Sequence, residues 1–261
     1  MADSARKEQA AENDEEFRKR YGEKVGSGMS AIVYARDGIV AKVYREVLSR
    51  RQVFQEAFTL AAVGEQGIPV PEVYGVETFL GRTTLIMEQV KGESLGDTML
   101  KAPDKTGECL DKVVELQVAM HKVNSASFRP IKLVLAGNIY GAPGLDDAGR
   151  RKLIAMLEKL PEGFAVLHGD FHGGNIIFDG TCHKIIDWAE VAIGDPAADV
   201  ARSYMDYLMM RREDLGEMHL ARYLAATGIS RMKVLDWLPV MAGSLYGYLA
   251  EDARKILRPL F

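Results

Sequence analysis

The sequence predicts an α+β protein, with a small antiparallel-sheet lobe followed by a larger, mainly helical lobe. Up to about residue 90, short runs rich in Val, Ile and Tyr alternate with glycine-containing turns, and one stretch has helical spacing. Beyond that point most apolar residues recur at helical spacing. The 261 residues, 48% of them hydrophobic, are enough to build two lobes with buried cores.

The first predicted lobe follows a charged segment. Residues 1–20 are rich in charge and poor in apolar side chains, which predicts a solvated arm or a frayed helix. The segment YGEKVGSGMSAIVYARDGIVAKVYR, residues 21–45, predicts three short strands. The GSG at 26–28 is expected to form the turn between the first two strands, and the DG at 37–38 is typical of a tight hairpin between the last two.

One helix and further strands complete this lobe. Residues 49–63, SRRQVFQEAFTLAAV, carry apolar groups at helical spacing, and Gly64 is the expected end of the helix. The segments IPVPEVYG and TTLIMEQV are expected to add strands to the sheet. The lobe would then end near residue 90.

The second predicted lobe is mainly helical. Helices are expected at 107–123 and 146–160 and over most of the chain from residue 198 onwards. In between, VLH, NIIFD and KIIDW predict three short strands. The chain therefore divides into a charged arm (1–20), a sheet-rich lobe (21–90) and a helical lobe (91–261). The residues at helical spacing in the first of these helices are Leu110, Val113, Val114, Gln117, Met120 and His121.

Composition narrows the classes of partner. The formal net charge of −4 gives no electrostatic reason to propose nucleic acid. No apolar run is long enough to span a membrane, and the N-terminus lacks the apolar core of a signal peptide, so we expect a cytoplasmic protein. Cys109 and Cys182 match no zinc or disulfide framework and are expected to be free thiols.

The strongest concentration of titratable groups lies in residues 166–188, VLHGDFHGGNIIFDGTCHKIIDW. Asp170 precedes Asn175 by five residues, and Asp187 follows Asn175 by twelve. A hairpin between IIF and KII would bring Asn175 and Asp187 side by side. A carboxylate and an amide oxygen suit Mg²⁺, which takes phosphate oxygens as further ligands. Asp170 would then be placed to accept a proton from a hydroxyl group.

Simpler interpretations of this segment stay open. An aspartate at the end of a strand is more often a turn former than a catalyst. His168, Asp170 and His172 alternate in a way that also fits zinc, although such a site needs further ligands and none is evident.

The first lobe contains residues that suit a nucleotide. Gly26 and Gly28 would let backbone N–H groups approach phosphates closely, although a lone GxG usually marks only a tight turn. Lys42 lies in the third predicted strand, and Glu56 follows fourteen residues later on the predicted helix. Both residue types are usually solvated. Together they would form an ion pair that holds the lysine against nucleotide phosphates.

Three motifs in fixed order carry a family resemblance. HGDFHGGN (168–175), IIDW (185–188) and GDPAAD (194–199) follow the GxG turn and the strand lysine. With these motifs the chain resembles the aminoglycoside phosphotransferase and choline kinase group from Gly26 to about Arg202. The resemblance implies a two-lobed, protein-kinase-like fold, ATP or GTP as co-substrate, Mg²⁺, and a small molecule as phosphate acceptor.

The resemblance also implies a role for each matching residue. Asp170 would be the catalytic base, Asn175 and Asp187 would bind Mg²⁺, and Asp199 would brace the catalytic loop. The residues expected to contact the nucleotide are Gly26, Ser27 and Gly28 over the triphosphate, Lys42 at the phosphates with Glu56 as its anchor, and Glu88 and Val90 with backbone groups at the purine. Two features depart from the pattern: position 31 lacks a third glycine, so Ser30 is expected to contribute instead, and Trp188 follows the metal aspartate.

Two other functions are compatible with these residues. A protein serine/threonine kinase needs a long segment after the metal aspartate to dock a peptide, whereas here Gly194 follows Asp187 by only seven residues. A non-catalytic nucleotide-binding module is less consistent with a chain that carries base, metal ligands and lysine together. Mg²⁺-dependent ATP turnover and an acceptor screen would separate the three.

The identity of the acceptor is the least determined point. We expect a cationic, hydroxyl-bearing molecule, such as an aminoglycoside or another amino compound, because carboxylates would attract it. Taken singly, such carboxylates more often lie on a solvated helix face, and such aromatic residues more often lie in the core. The candidates are the carboxylates Glu190, Glu251 and Asp252 and the aromatic residues Tyr246, Trp237 and Tyr248.

Overall fold

The computed structural model describes residues 13–28, 30–45 and 49–261. The chain forms two compact units. Unit 1 contains the residues up to Glu93 together with Ile177–Ile186, and unit 2 contains Ser94–Ile176 and Asp187–Phe261. The functional assignment of the predicted lobes stays a prediction.

Unit 1 is built on a five-stranded antiparallel sheet. Its strands are β1 (Glu23–Ser27), β2 (Ala31–Arg36), β3 (Ile39–Tyr44), β4 (Val73–Phe79) and β5 (Arg82–Glu88), in the order β1-β2-β3-β5-β4. The predicted hairpin between β2 and β3 is confirmed. Asp37 and Gly38 both have positive φ angles, 52° and 84°, as the tightest hairpin turns require.

Helix α1 (residues 13–21) packs against this sheet. Phe17 and Tyr21, one helical turn apart, are buried, and their rings contact Phe79. The expectation of a solvated arm is therefore wrong for residues 13–20, because two aromatic rings among the charges are enough to bury one face of a helix. Residues 1–12 lie outside the described residues.

Two local predictions in unit 1 need correction. Gly26 and Ser27 do not form a turn but belong to β1, opposite Val33 and Ile32. Helix α2 (Arg50–Glu65) does not end at Gly64 but runs one residue further. The residue with left-handed backbone geometry after it is Gly67, with φ of 81°.

A hairpin from later in the chain completes unit 1. It contains most of β8 (Ile176–Phe178) and all of β9 (His183–Ile185). Lys184 forms an ion pair with Glu88, at 2.5 Å from Oε2, and the Ile185 N–H donates to the carbonyl of Pro69 at 2.8 Å. The first contact joins the hairpin to β5, and the second joins it to the segment between α2 and β4, despite its distance in sequence.

Unit 2 is mainly helical, and the two helices predicted at 107–123 and 146–160 are confirmed. Strands β7 (Ala165–Leu167) and β10 (Ala192–Gly194) pair antiparallel. No helix in the described ranges is long and apolar enough to cross a membrane. After the short strand β6 (Glu93–Ser94), the helices are α3 (Leu95–Lys101), α4 (Thr106–His121), α5 (Ile131–Gly141), α6 (Asp147–Lys159), α7 (Pro196–Met209), α8 (Glu213–Thr227), α9 (Arg231–Leu235), α10 (Leu238–Tyr246) and α11 (Glu251–Leu257).

The core of unit 2 lies among these helices. Leu153 of α6, Met241 of α10 and Leu220 of α8 belong to one buried cluster, which also includes Trp237. All six residues predicted to share one face of α4 are buried. This core supports the loop that follows β7.

Candidate active site

The loop after β7 carries the first half of the HGDFHGGN motif. His168 is fully buried, and its Nδ1 accepts a hydrogen bond from the Asp170 N–H at 3.2 Å. Gly169 has a φ of 82° and lies so close to Glu190 that a Cβ atom there would be 2.5 Å from the Glu190 carbonyl oxygen. These contacts fix the backbone conformation of the loop and, with it, the position of Asp170.

Asp170 is surrounded by groups that favour its ionised form. Its Oδ1 lies 3.2 Å from a terminal nitrogen of Arg202, and its Oδ2 lies 3.7 Å from Nε2 of His172. Burial alone would raise the pKa of this carboxyl group, but the His172 imidazole and the charge of Arg202 outweigh burial and lower the pKa to about 2. Asp170 is therefore a carboxylate at neutral pH.

Asn175 is oriented by the same loop. It ends the short 3₁₀ turn Gly173–Asn175, and its Nδ2 donates to the Asp170 carbonyl oxygen at 2.9 Å and to Oδ2 of Asp170 at 3.3 Å. Because the amide nitrogen is used in this way, Oδ1 is the atom of Asn175 that can ligate a cation. This orientation fits a hard, oxygen-seeking ion such as Mg²⁺.

Asp187 has an unusual backbone conformation. It follows β9, is exposed, and has a φ of 63°, a region that residues other than glycine seldom adopt. Such strain occurs often at functional sites. The predicted closeness of Asn175 and Asp187 stays a prediction. Within residues 13–28, 30–45 and 49–261, no three His, Cys, Asp or Glu side chains are grouped as a metal site.

A buried network lies behind the loop. Asp199 on α7 accepts hydrogen bonds from the Gly169 N–H at 2.7 Å and from the Gln117 amide at 3.0 Å, and it lies 3.1 Å from His121 Nε2. The bracing contact expected of Asp199 is thus present. Its partners Gln117 and His121 were not recognised from the sequence, although two polar residues on the apolar face of α4 were a signal for them.

Arg202 and Asp206 were also missed as site residues. Arg202 Nε lies 2.9 Å from Oδ1 of Asp206 and 3.0 Å from Oδ2, while the same guanidinium group contacts Asp170. Burial, and then the charge of Asp170, raise the pKa of Asp206 to about 6 despite the opposing charge of Arg202. The only sequence signal for this pair was that Arg202 and Asp206 lie four residues apart, on the same face of a helix.

In unit 1, the predicted ion pair between Lys42 and Glu56 is present. Lys42 Nζ lies 2.7 Å from Glu56 Oε1, and both side chains are largely buried. The hydroxyl of Tyr44 also donates to Glu56. Glu56 on α2, itself held by Tyr44, thus fixes the position of the Lys42 side chain on β3.

Hydrogen bonds hold the residues on either side of Met29 in the glycine segment of unit 1. The Gly28 N–H donates to the Ala31 carbonyl at 2.9 Å, and the Arg45 N–H donates to the Ser30 carbonyl at 2.8 Å. Ser27 Oγ accepts a hydrogen bond from Arg45 at 3.1 Å. Met29, between them, lies outside the described residues, and the contacts of this segment with a triphosphate stay a prediction.

Glu88 is the last residue of β5, and Val90 lies two residues further along the chain. The Glu88 N–H donates to the Glu72 carbonyl at 2.8 Å, so this donor is already used within the unit. The expected purine contact is therefore restricted to the carbonyl group of Glu88 and the backbone of Val90, which is half-buried.

The acceptor candidates lie in different environments. Glu190 is exposed and lines a cavity next to Gly169 and Arg202. Glu251 and Asp252 are 83% and 88% exposed and pair with Lys255. Three aromatic residues differ in exposure: Trp237 is fully buried, Tyr246 packs edge-on against Phe261, and Tyr248 is exposed. The expectation that Trp237 stacks on an acceptor is wrong, because a fully buried ring presents no face to a ligand.

The segment after Asp187 is short. A turn at 189–190 leads directly into β10, and α7 begins at Pro196, capped by the Asp195 side chain. No helix or long loop separates Asp187 from α7 in this stretch.

Comparison with known proteins finds similar sequences and similar folds. Over 95 residues the chain is 38% identical to viomycin phosphotransferase of Streptomyces vinaceus, and this region spans 33% of the chain and 30% of that protein's length. The fold is similar to a thermostable mutant of aminoglycoside phosphotransferase APH(4)-Ia in ternary complex with ADP and hygromycin B. The TM-score is 0.72 at 15% identity, covering 94% of this chain and 96% of the other.

The choline kinase LicA from Streptococcus pneumoniae is similar as well, with a TM-score of 0.68 at 13% identity over 97% of both chains. These likenesses confirm the predicted α+β, protein-kinase-like fold. Residues 22–235 match the model of the phosphotransferase enzyme family, APH. Because that match covers most of the chain, the protein belongs to the phosphotransferase enzyme family.

Proposed function

We propose that this protein transfers the γ-phosphoryl group of ATP or GTP to a hydroxyl group of a small, amino-bearing molecule in the cytoplasm. The observation that carries the proposal is the geometry of one loop. In this loop Asp170 is ionised, and Asn175 Nδ2 donates a hydrogen bond to the Asp170 carbonyl oxygen at 2.9 Å. One loop thus supplies a proton acceptor and an oriented amide oxygen, the combination that phosphoryl transfer uses.

In the proposed reaction, Asp170 orients the acceptor hydroxyl and takes its proton, which then passes to water. The hydroxyl oxygen forms a bond to the γ-phosphorus, the bond from that phosphorus to the β,γ-bridging oxygen breaks, and the nucleoside diphosphate leaves with the electron pair. Asn175 and Asp187 would hold Mg²⁺, which neutralises charge on phosphate oxygens when bound. Catalysis would come mainly from positioning and charge stabilisation.

The residues of unit 1 would bind the nucleotide. Lys42, held by Glu56 at 2.7 Å, would contact the phosphates. The phosphates would also be met by backbone and hydroxyl groups of Gly26, Ser27, Gly28 and Ser30, and the purine by backbone groups of Glu88 and Val90.

The short connection from Asp187 to Pro196 supports a small molecule as acceptor. A protein substrate needs a docking segment there, and the seven residues up to Gly194 contain only a turn and a three-residue strand. An amino-bearing acceptor is supported by the names of the similar proteins, which refer to viomycin, aminoglycosides and choline. Inactivation of an antibiotic is one physiological role that fits this acceptor class.

The test is nucleotide turnover with a broad set of acceptors. ADP or GDP release is measured with and without Mg²⁺ over aminoglycosides, amino alcohols, amino acids and neutral sugars, for the wild type and for Asp170→Asn. We expect acceptor-dependent release that needs Mg²⁺ and falls by roughly 10²–10⁴-fold in Asp170→Asn. Near-normal turnover in that variant would remove Asp170 as the base. Nucleotide binding without turnover on any acceptor would favour a binding module instead.

A further inference from the structure

A cavity in unit 2 adjoins the catalytic loop. The space that it encloses is small, about 30 Å³, and the rest of it is open to solvent. Gly169 and Arg202 line it on the side of Asp170, and Glu190 lines it beside Gly169. The remaining wall comes chiefly from helices α5 and α10. An acceptor whose hydroxyl group reaches Asp170 would therefore place part of its body here.

Most of the wall is aliphatic. Seven of its residues have hydrocarbon or thioether side chains or a methyl group, and both α5 and α10 contribute to them. They are Ile131, Val134, Leu135, Leu167, Ala198, Met241 and Leu245. Such a wall favours a ligand with apolar surface, because each buried apolar group is removed from water.

The polar groups of the wall are mostly engaged already. Asp199 receives the hydrogen bonds of the network behind the loop, and Ser244 donates to the Met241 carbonyl at 2.8 Å. Arg202 is shared between Asp170 and Asp206. Among the residues that the structure describes, this leaves Asn138 and Glu190 as the cavity-lining polar side chains without a hydrogen bond of their own.

One carboxylate and one amide can bind only a few polar groups of a ligand. A single ammonium group would pair with Glu190, and a hydroxyl or carbonyl group with Asn138. A polycation would bring further ammonium groups against aliphatic side chains and beside Arg202, where burial of an unpaired charge is unfavourable.

We propose that this cavity selects an amphipathic acceptor, with one amino group, a neighbouring hydroxyl group and an apolar body that packs on α5 and α10. The inference rests on the proposed function and narrows it, because it disfavours polycationic aminoglycosides as acceptors. Glu190 pairs with the ammonium group, Asn138 forms a hydrogen bond with the adjoining polar group, and Val134 and Met241 contact the apolar body.

Helix α5 offers a matched pair of variants for the test. Val134 lines the cavity, whereas its neighbour Leu133 is 67% exposed and does not. Val134→Asp therefore places a second carboxylate in the cavity, and Leu133→Asp makes the same change outside it. Glu190→Gln removes the carboxylate that pairs with the ammonium group. Its control is Glu213→Gln, because Glu213 lies exposed on the first turn of α8.

The experiment is an NMR-monitored titration of ethanolamine, leucinol, phenylalaninol and hygromycin B into each variant without nucleotide. For the wild type we expect leucinol and phenylalaninol to bind about tenfold or more tightly than ethanolamine, and hygromycin B to bind more weakly than either. Val134→Asp and Glu190→Gln should each weaken phenylalaninol binding about tenfold, while the two controls leave it unchanged.

Turnover of the same probes separates this inference from the proposed function. Binding in the expected order without nucleoside diphosphate release would support the cavity assignment and contradict phosphotransfer. Equal affinity for ethanolamine and phenylalaninol, or turnover confined to hygromycin B, would overturn the cavity assignment and leave phosphotransfer intact. Equal effects of Val134→Asp and Leu133→Asp would also overturn it.

Discussion

At the scale of single residues, the proposed base depends on charges that the catalytic motif does not contain. Asp170 is neighboured by Arg202, which is in turn held by Asp206 one helical turn further along α7. This chain of contacts keeps the guanidinium group in one place. Arg202 is therefore a positioning residue for Asp170.

We predict that Arg202→Gln lowers kcat by roughly 10²-fold with little change in the KM for nucleotide, because displacement of Asp170 affects the reacting geometry. Arg202→Lys should recover part of this loss, since it restores the charge but not both contacts. Steady-state kinetics of the two variants provide the measurement. Arg222→Gln is the control, because Arg222 pairs with Asp111 on a more exposed surface of the same unit. An equal loss in that control would show a general effect on unit 2.

At the scale of elements, the loop after β7 requires glycine for a steric reason. Gly169 and Gly180 both have positive φ angles, 82° and 97°, but only Gly169 has neighbours within the reach of a Cβ atom. Alanine substitutions at the two positions therefore distinguish the effect of backbone strain from the effect of a steric clash.

We predict that Gly169→Ala reduces kcat by at least about tenfold, because the new methyl group forces the loop away from the Glu190 backbone and moves Asp170. Gly180→Ala carries the same conformational cost, about 1–2 kcal/mol, without the clash. Comparison of kcat for the two folded variants measures the difference. If both alanines have the same effect, the contact with Glu190 is not what positions the loop.

Helix α1 shows how a few side chains determine the placement of a charged element. Phe17 is buried against the sheet, and the hydroxyl of Tyr34 beneath it donates to Asp14 at 2.6 Å. The rings of Tyr21, Tyr34 and Phe79 surround Phe17, so the helix is part of the core of unit 1.

We predict that Phe17→Ala lowers the free energy of unfolding by about 3–5 kcal/mol, as is usual when a buried aromatic ring is removed. Phe164→Ala, at a ring that is 66% exposed, should change it by no more than about 0.5 kcal/mol. Urea denaturation of both variants provides the comparison. A small effect of Phe17→Ala would mean that α1 contributes little to the stability of unit 1.

At the scale of the whole molecule, stability depends on pH through buried groups. His219 is fully buried, with Nε2 2.9 Å from Gln117 Oε1 and Nδ1 without a partner among the described residues. Burial lowers the pKa of His219 from 6.5 to about 4. The unfolded chain therefore takes up a proton below pH 6.5 that the folded protein takes up only near pH 4, so acid favours unfolding in this window.

We predict that the wild type loses up to about 3 kcal/mol more stability than His219→Gln when the pH falls from 7 to 4. Asp206 acts in the opposite direction, because its raised pKa lets the folded protein bind a proton first, but it is present in both proteins and cancels in the comparison. Urea denaturation at both pH values gives the difference. Parallel losses in the two proteins would show that His219 is not the group responsible.

The sequence predicted the elements of the fold well where the signal is local. The DG turn, the strands around it and the buried face of α4 follow from hydrogen bonding and from periodic burial, which neighbouring residues determine. The end of α2 and the position of α1 were predicted less well. A glycine permits a helix to end without requiring it, and the burial of Phe17 depends on a sheet formed by later residues.

For the site, the order of the motifs was sufficient to identify Asp170, Asn175 and the pair of Lys42 and Glu56 as candidates, because their residue types match one chemistry. By itself, then, the sequence determined the fold class, the family resemblance and the candidates for base, metal ligands and anchored lysine. Only the tertiary structure decided which side chains orient them. Arg202 lies 32 residues from Asp170, and Gln117 lies 82 residues from Asp199. Contacts between such distant positions arise from packing, which no local pattern encodes.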